Sequence, residues 1–303
     1  YLTFTRDVST ISQYVRFTLP KKTGGVRLIS APRRRLKAAQ HWVLGNILAK
    51  LTPTDHAHGF VASRSIVTNA LPHVGAAVVI NVDLKDFFPT VSYPRVRGLF
   101  AKLGYSQEVA TLLALLCTEQ DVTEAVLDGV TYFKKSGARR LPQGAPTSPA
   151  LSNAICRRLD ARLFGIATKM GFVFTRYADD LTFSSRDPQA AVGHLLAAVE
   201  RFVEAEGFFV HPDKVRVLRK GRRQEVTGIV VNQQIGLAAD KLKRFRAFLH
   251  TAKTKGLAVA KWDGIAGDDP HMRSRALGFS SYVAMVLPQR GAELTAAVRA
   301  IFA

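Results

Sequence analysis

Three carboxylates carry the clearest chemistry in this chain. Asp83 follows a β-branched run, Ala77 to Val82, while Asp179 and Asp180 stand side by side between two β-favouring runs, Phe172 to Tyr177 and Leu181 to Ser185. The first run suits a buried strand, and the second pair of runs suits a hairpin with carboxylates at its tip. An Asp-Asp pair at a turn is ordinarily a turn former, because Asp tolerates turn dihedrals and bonds nearby backbone. Brought beside Asp83, the same pair becomes a cluster of hard oxygens suited to Mg²⁺. Like charges that close repel one another, so without cations the cluster is expected to be strained or partly protonated.

Several elements must position these groups. Leu36, Val43, Ile47 and Leu51 recur at near-helical spacing in a segment that ends at Pro53. After Asp83, one helix is marked by Val96, Leu99, Phe100 and Leu103, and another spans Val109 to Leu116. A third, Ala150 to Phe164, sets Leu151, Ile155, Leu159 and Leu163 on one face. A helix from about Gln189 to Glu206 follows the carboxylate hairpin, and strands Val215 to Leu218 and Glu225 to Val231 flank the basic turn Arg219 to Arg223. From Asp240 onward the pattern is helical and rich in Lys and Arg. This is an α+β arrangement, without repeats, low-complexity tracts or long linkers.

Forty-three Lys plus Arg stand against 23 Asp plus Glu, for a net charge of +20, which points to a polyanionic partner. Nucleic acid is preferred to a membrane surface: no apolar run approaches the ~18 to 20 residues of a spanning helix, and no leading segment resembles a signal peptide. A soluble, cytoplasmic protein is expected. Cys117 and Cys156 are too few for a disulfide framework or a four-ligand zinc site and fall among apolar residues at helical spacing, so both are expected to be buried thiols.

Tyr177-Ala-Asp-Asp180 matches the Tyr-x-Asp-Asp box of reverse transcriptases, and Asn81-Val-Asp-Leu-Lys-Asp-Phe-Phe-Pro89 and Leu141-Pro-Gln-Gly-Ala-Pro-Thr-Ser-Pro149 resemble that family's two other palm boxes, in the family's order. The resemblance implies a right-hand polymerase fold, with fingers and palm interleaved over residues 1–235 and a short helical thumb over 236–303. It implies an RNA-directed DNA polymerase using dNTPs and two Mg²⁺ ions, with Asp83 and Asp179 as principal ligands, Asp180 as third carboxylate and the Leu84 carbonyl as an extra ligand. One ion would lower the pKa of the primer hydroxyl, and the other would hold the triphosphate. By the same resemblance Phe88 is a gate against the ribose 2′-OH, with one of Phe87 and Phe88 a core aromatic if the two neighbours lie on a strand. The backbone of Asp86 and Phe87 faces the triphosphate, Gln143 and Gly144 border the nucleotide, and Arg27 with Lys21 or Lys22 binds its phosphates. Lys214 lies near the leaving pyrophosphate, where an ammonium can donate a proton or stabilise charge.

Asn69-Ala-Leu-Pro-His73 and Val226-Thr227-Gly228 look like the two signatures that mark retron enzymes within that family. The implied partners are a cognate retron noncoding RNA and the DNA made on it, attached through an internal 2′-OH, together with a separate effector protein in anti-phage defence. Asn69, His73 and Val226 to Gly228 are then candidate RNA contacts, as are Arg222 and Arg223, and Lys241, Lys243 and Arg244, from the clusters Arg219 to Arg223 and Lys241 to Arg246. A group II intron type enzyme would share every catalytic residue without the two signatures. An RNA-binding scaffold that had lost catalysis would not need the intact Asp83, Asp179 and Asp180.

Overall fold

A computed structural model describes residues 7–20 and 24–302, so Lys21 and Lys22 lie outside the described residues. The two-residue strand β1 (Val8–Ser9) precedes a hairpin, β2 (Tyr14–Pro20) and β3 (Val26–Pro32), and helix α1 (Arg34–Asn46). The short helix α2 (Ile66–Ala70) leads into β4 (Val78–Asp83), followed by the single turn α3 (Phe87–Thr90) and helices α4 (Tyr93–Lys102) and α5 (Gln107–Cys117). A long hairpin, β5 (Glu119–Leu127) and β6 (Val130–Arg140), returns the chain to α6 (Ser148–Lys169). Next come the carboxylate hairpin, β7 (Val173–Tyr177) and β8 (Asp180–Ser185), then α7 (Val192–Ala205) and β9 (Arg216–Arg219). The remainder is a small hairpin, β10 (Glu225–Val226) and β11 (Ile229–Val230), helix α8 (Ala239–Lys255), a second small hairpin, β12 (Lys261–Trp262) and β13 (Ile265–Ala266), and helices α9 (Met272–Val286) and α10 (Pro288–Ile301).

The central sheet runs β7-β8-β4-β9, antiparallel throughout. Because strand side chains alternate between faces, β4 sends Val78, Ile80 and Val82 into a core shared with α4, α5, α6 and α7. Its other face carries Val79, Asn81 and Asp83. Val79 belongs to a second core built with α8, α9 and α10, which also takes Ala70, Ala76 and Val226. Asn81 donates through Nδ2 to the Glu225 carbonyl at 2.9 Å, which ties the small hairpin to the sheet. Asp83 is left at the strand end, beyond both cores, where a ligand can reach it. No helix among the described residues is long and apolar enough to cross a membrane, and Cys117 and Cys156 are both free and buried.

Several local expectations are corrected. Phe87 and Phe88 sit on a helical turn rather than a strand, entered through Asp86 at φ +46. The run Glu225 to Val231 is a hairpin, not one strand, because Thr227 and Gly228 both take positive φ, +47 and +82. The helix expected from Gln189 starts at Val192, and the helical C-terminal stretch is interrupted by β12–β13. The β2–β3 hairpin, absent from the expected strands, carries period-2 apolar residues, Val15, Phe17 and Leu19 with Val26 and Leu28, and all five are exposed; in β5–β6 most residues are exposed and neither face needs to be apolar.

The polar face of the sheet is sealed by His73. Its imidazole is fully buried between Ser184 Oγ, 2.7 Å from Nδ1, and Thr175 Oγ1, 2.8 Å from Nε2. Burial first, and His58 second, push its pKa from the ordinary 6.5 down to about 3, so it is neutral in the fold. Between these values the unfolded chain binds more protons than the folded one, so this contribution is complete above about pH 6.5 and is lost as pH falls. Wild-type stability in urea should therefore fall by up to about 1.4 kcal/mol per pH unit between roughly pH 6 and 4 on this account. His73→Gln, compared in the same unfolding series, should show a shallower slope; identical slopes would remove His73 as the origin.

Candidate active site

Asp83 and Asp180 are direct cross-strand partners at the end of the β4–β8 ladder. Asp179 sits one residue earlier, as the second residue of the two-residue turn Ala178-Asp179, whose first residue takes φ +57. Its carbonyl accepts the Leu84 N–H at 3.0 Å, which locks the hairpin tip to the chain leaving β4. On the other side, the His211 N–H donates to the Asp83 carbonyl at 2.8 Å, and Lys214, on the following turn, donates through Nζ to Asp83 Oδ1 at 2.8 Å. The three carboxylates are thus gathered by sheet register, and one already has a cation.

The electrostatics follow from that crowding. Protein packed around Asp180 first, then Asp179 and Asp83, push its carboxyl up to about 7, although the residue keeps solvent access. Asp179 is raised chiefly by burial and also by Asp83, while Lys214 and Arg27 pull it back. This is a site short of positive charge. The donors are hard oxygens of the kind Mg²⁺ takes, so the residues fit a divalent cation in kind. Among the described residues no three His, Cys, Asp or Glu side chains are already drawn into an ion-holding arrangement; Asp83 is engaged with Lys214 instead.

Beneath the tip lies a buried ion pair. Arg176, which immediately precedes Tyr177, is fully buried and binds Asp160 of α6 in a fork, Nε to Oδ1 at 2.6 Å and Nη2 to Oδ2 at 2.8 Å. Its Nη1 donates to Asn153 Oδ1 at 3.0 Å and to the Ala178 carbonyl at 3.1 Å, inside the carboxylate box. Asp160 also accepts from Thr54 Oγ1 at 2.7 Å. The Arg176 backbone pairs with the loop before α2, giving its N–H to His56 and accepting from the His58 N–H, each at 2.7 Å. Gly59 of that loop lies so close that a Cβ would stand 2.5 Å from the Ala178 nitrogen. Sequence reasoning missed this support, yet Asp160 falls on the same helical stripe as Cys156, Leu159 and Leu163.

The residues expected at the nucleotide lie on β3, on the chain leaving β4 and on the loop before α6. Arg27 is exposed on β3 and is felt at Asp179. The Gln143 carbonyl accepts the Ser30 N–H at 2.8 Å. Gly144, at φ +123, lies where a Cβ would meet Ile29 Cγ2 and the Ser30 carbonyl at 3.0 Å, so the β2–β3 hairpin docks onto this loop. Phe88 is half-buried beside the core ring of Phe87, centroids 5.4 Å apart. Leu84 is buried and Asp86 exposed.

The expected RNA residues divide. Asn69, His73 and Val226 are fully buried and offer no surface to RNA, which corrects their reading as contacts; the His73 ring, and the Asn69 carbonyl that accepts from Thr175 Oγ1 at 3.4 Å, join this segment to the sheet. Thr227 donates through Oγ1 to the Ile66 carbonyl at 3.4 Å, and the Gly228 carbonyl accepts from Tyr282 Oη at 3.1 Å, so this turn is wedged between α2 and α9. Arg223 pairs with Glu225 and Asp240, and Arg244 with Asp240 and Asp263. Arg222 and Lys241 are exposed. Lys243 lines an open groove of about 1000 Å³ with Arg246, His250 and Arg290 over Leu242 and Leu287.

The family model described as "Reverse transcriptase (RNA-dependent DNA polymerase)" matches residues 19–253. The chain is 44% identical, over 96% of its length, to "Retron Mx162 reverse transcriptase" of Myxococcus xanthus, and 45% identical, over 94%, to "Retron Mx65 reverse transcriptase" of the same organism. It spans 61% and 64% of those two relatives, so each is the longer protein. Among solved structures, apo telomerase from Candida tropicalis aligns at a TM-score of 0.53 with 9% identity, covering 96% of this chain and 64% of that one, a likeness of fold alone.

The ion pair under the tip yields a direct test. Asp160→Asn leaves a guanidinium buried without its counter-charge, which should cost about 3–5 kcal/mol in denaturant unfolding. Adding Arg176→Met to that variant should recover a large part of the loss. A loss below about 1 kcal/mol, the level of exposed pairs, would mean that the pair does not hold the tip.

Proposed function

Because the chain belongs to the reverse transcriptase (RNA-dependent DNA polymerase) family, we propose that it is an RNA-directed DNA polymerase of the retron kind. It copies the template part of a cognate retron noncoding RNA into single-stranded DNA that stays covalently joined to RNA. The observation that carries this reading is the pairing of Asp83 with Asp180 across the sheet, with Asp179 in the adjoining turn and Lys214 on Asp83. Such an array serves a reaction in which a hydroxyl attacks a triphosphate and negative charge must be managed on both sides.

Asp83, Asp179 and Asp180, with the Leu84 carbonyl, would hold two Mg²⁺ ions, which when bound supply activation of the primer hydroxyl and neutralisation of the triphosphate. The remaining work belongs to the protein. Lys214 fixes the Asp83 carboxylate and keeps an ammonium near the pyrophosphate end of the pocket. Arg27 approaches from β3, on the side where Gly144 lets that strand close upon the loop, and would bind triphosphate oxygens together with Lys22. Gln143, Gly144 and the backbone of Asp86 and Phe87 border the nucleotide, and Phe88 excludes a ribose 2′-hydroxyl.

The duplex or RNA stem would lie along the basic surface of the C-terminal half. Lys243, Arg246 and Arg290 share one groove and have no carboxylate partner among the described residues, whereas Arg223 and Arg244 are already neutralised by acidic neighbours. The first three are the stronger phosphate contacts, with Arg222 and Lys241 at the margin. The biological setting of this reading is phage defence in the cytoplasm alongside a separate effector protein.

Protein purified with its co-purifying RNA, given dNTPs and Mg²⁺, should make DNA that remains attached to RNA after proteinase treatment, and Asp179→Asn with Asp180→Asn should make none. Failure of wild type to incorporate any dNTP on a primed RNA would sink the polymerase reading. In binding titrations over salt, replacing Lys243, Arg246 and Arg290 by Gln should reduce the slope of log K against log salt by about 0.7 to 0.9 for each phosphate no longer neutralised. Replacing Arg223 and Arg244 should change it less; the opposite order would move the RNA path to the other side of α8.

A further inference from the structure

We infer that Phe60 is the second aromatic wall of the sugar pocket, a specificity-determining residue that acts with Phe88 against ribonucleotides. The inference rests on the polymerase reading and adds to it a residue outside all three palm boxes.

Phe60 is 53% exposed, and its backbone sits at φ +60, in the left-handed region. A bulky residue there is strained against the backbone, a strain that Gly or Asn would largely avoid. The backbone is held in place regardless of the ring. Gly59 is pressed against the Ala178 nitrogen, and its carbonyl accepts from Asn153 Nδ2 at 2.9 Å. Upstream, Arg64 Nη1 binds the carbonyls of Thr54, Asp55 and Ala57 at 2.8, 2.9 and 2.6 Å. The loop is therefore anchored to the same tip that carries Asp179, and the Phe60 ring projects from a fixed base.

Its ring neighbour is the proposed gate. The Phe60 and Phe88 centroids lie 6.2 Å apart with planes tilted by 45°. Phe88 in turn contacts Phe87 at 5.4 Å, and Phe87 stacks on Phe208 at 5.6 Å. These rings form a row running from the core outward, with spacings typical of favourable aromatic pairs. Phe208 and Phe87 are buried, Phe88 is half-buried and Phe60 is its open end. A gate works only if its ring cannot swing aside. Phe87 blocks one side of Phe88, and Phe60 borders the side that faces solvent. A strained, exposed phenyl that adds nothing to either core has its use at that position: it narrows the space left for the sugar.

The test is single-nucleotide incorporation by the full chain with its co-purified RNA, comparing kcat/KM for a dNTP and the matching NTP. Phe60→Gly and Phe60→Asn accept the backbone conformation and delete the ring; both should lower dNTP preference by about tenfold or more, the range set by removing a small part of an apolar pocket wall, through faster NTP use. Their Tm should stay near wild type. Phe60→Tyr, which keeps the ring, should keep the preference, and Phe88→Ala serves as the reference gate variant. An unchanged preference in Phe60→Gly beside a collapsed one in Phe88→Ala would overturn the inference while leaving the polymerase reading intact. So would an equal fall in dNTP and NTP use. A wild-type protein that incorporates no dNTP would overturn both.

Discussion

The arrangement depends on holding a cluster of mutually repelling carboxylates still, and the Arg176–Asp160 pair is what makes that possible. A hairpin tip bearing Asp179 and Asp180 opposite Asp83 would splay if only strand hydrogen bonds held it. Arg176 sits at the last position before the tip and carries five N–H donors in a rigid fork. It spends two on Asp160 and divides a third group between Asn153 and the Ala178 carbonyl. The tip is thereby fixed to α6, a 22-residue helix in the middle of the main core. Taking both charges out of water is costly, and the pair is stable only because the donors and acceptors around it are satisfied. Thr54 and Asn153 do that, and they draw in the Gly59 loop as they do.

The second constraint is the alternation of β4. One face packs into the helical core through Val78, Ile80 and Val82; the other meets the C-terminal helices through Val79, ties β10 through Asn81, and ends in Asp83. A slip of one residue would turn Asp83 into the core and Val82 toward Asp179 and Asp180. Burial on both sides therefore fixes the register of a carboxylate that is itself outside both cores. The cross-strand partners obey the same rule: Thr182 and Ser184 share the face of Asp180, and the buried Ser184 and Thr175 are satisfied by His73.

The carboxylates, their strands and the principal helices were legible because β-branched runs and helical apolar stripes have only one way to be buried. Residues whose role is set by a distant partner were not. Asn69 and His73 read equally well as surface RNA contacts, and only the packing of Thr175 and Ser184 decides that His73 seals the sheet. Arg223 reads as a free cation until Asp240 arrives beside it from α8, and Arg244 until Asp263 joins Asp240, its own neighbour one turn earlier on the helix. Phe88 reads as a strand residue because nothing local announces that Asp86 turns left-handed. Other misses were local and avoidable: Asp128-Gly129 and Asp263-Gly264 both have positive φ at each residue, as two-residue hairpin turns require, and Asp-Gly is a strong sequence signal for them.

The charge distribution resolves a conflict built into such a site. On the proposed polymerase reading, the carboxylate cluster would repel the phosphate backbone and the triphosphate that must come to it. Lys214 and Arg27 offset this within the cluster, where they oppose the rise in the Asp179 pKa caused by burial and Asp83. They act over a few ångströms only, since an exposed charge is screened beyond about 8 to 10 Å at ordinary salt. A longer polyanion must be held by cations spaced along its own path. The net charge of +20 is consistent with that demand. Its distribution matters more than its size: charges at the joints of α8 are consumed by Asp240 and Asp263, while those along the groove beside Leu242 and Leu287 remain available to phosphate. Position and neutralisation together separate the cations that hold the fold from those free to hold a nucleic acid.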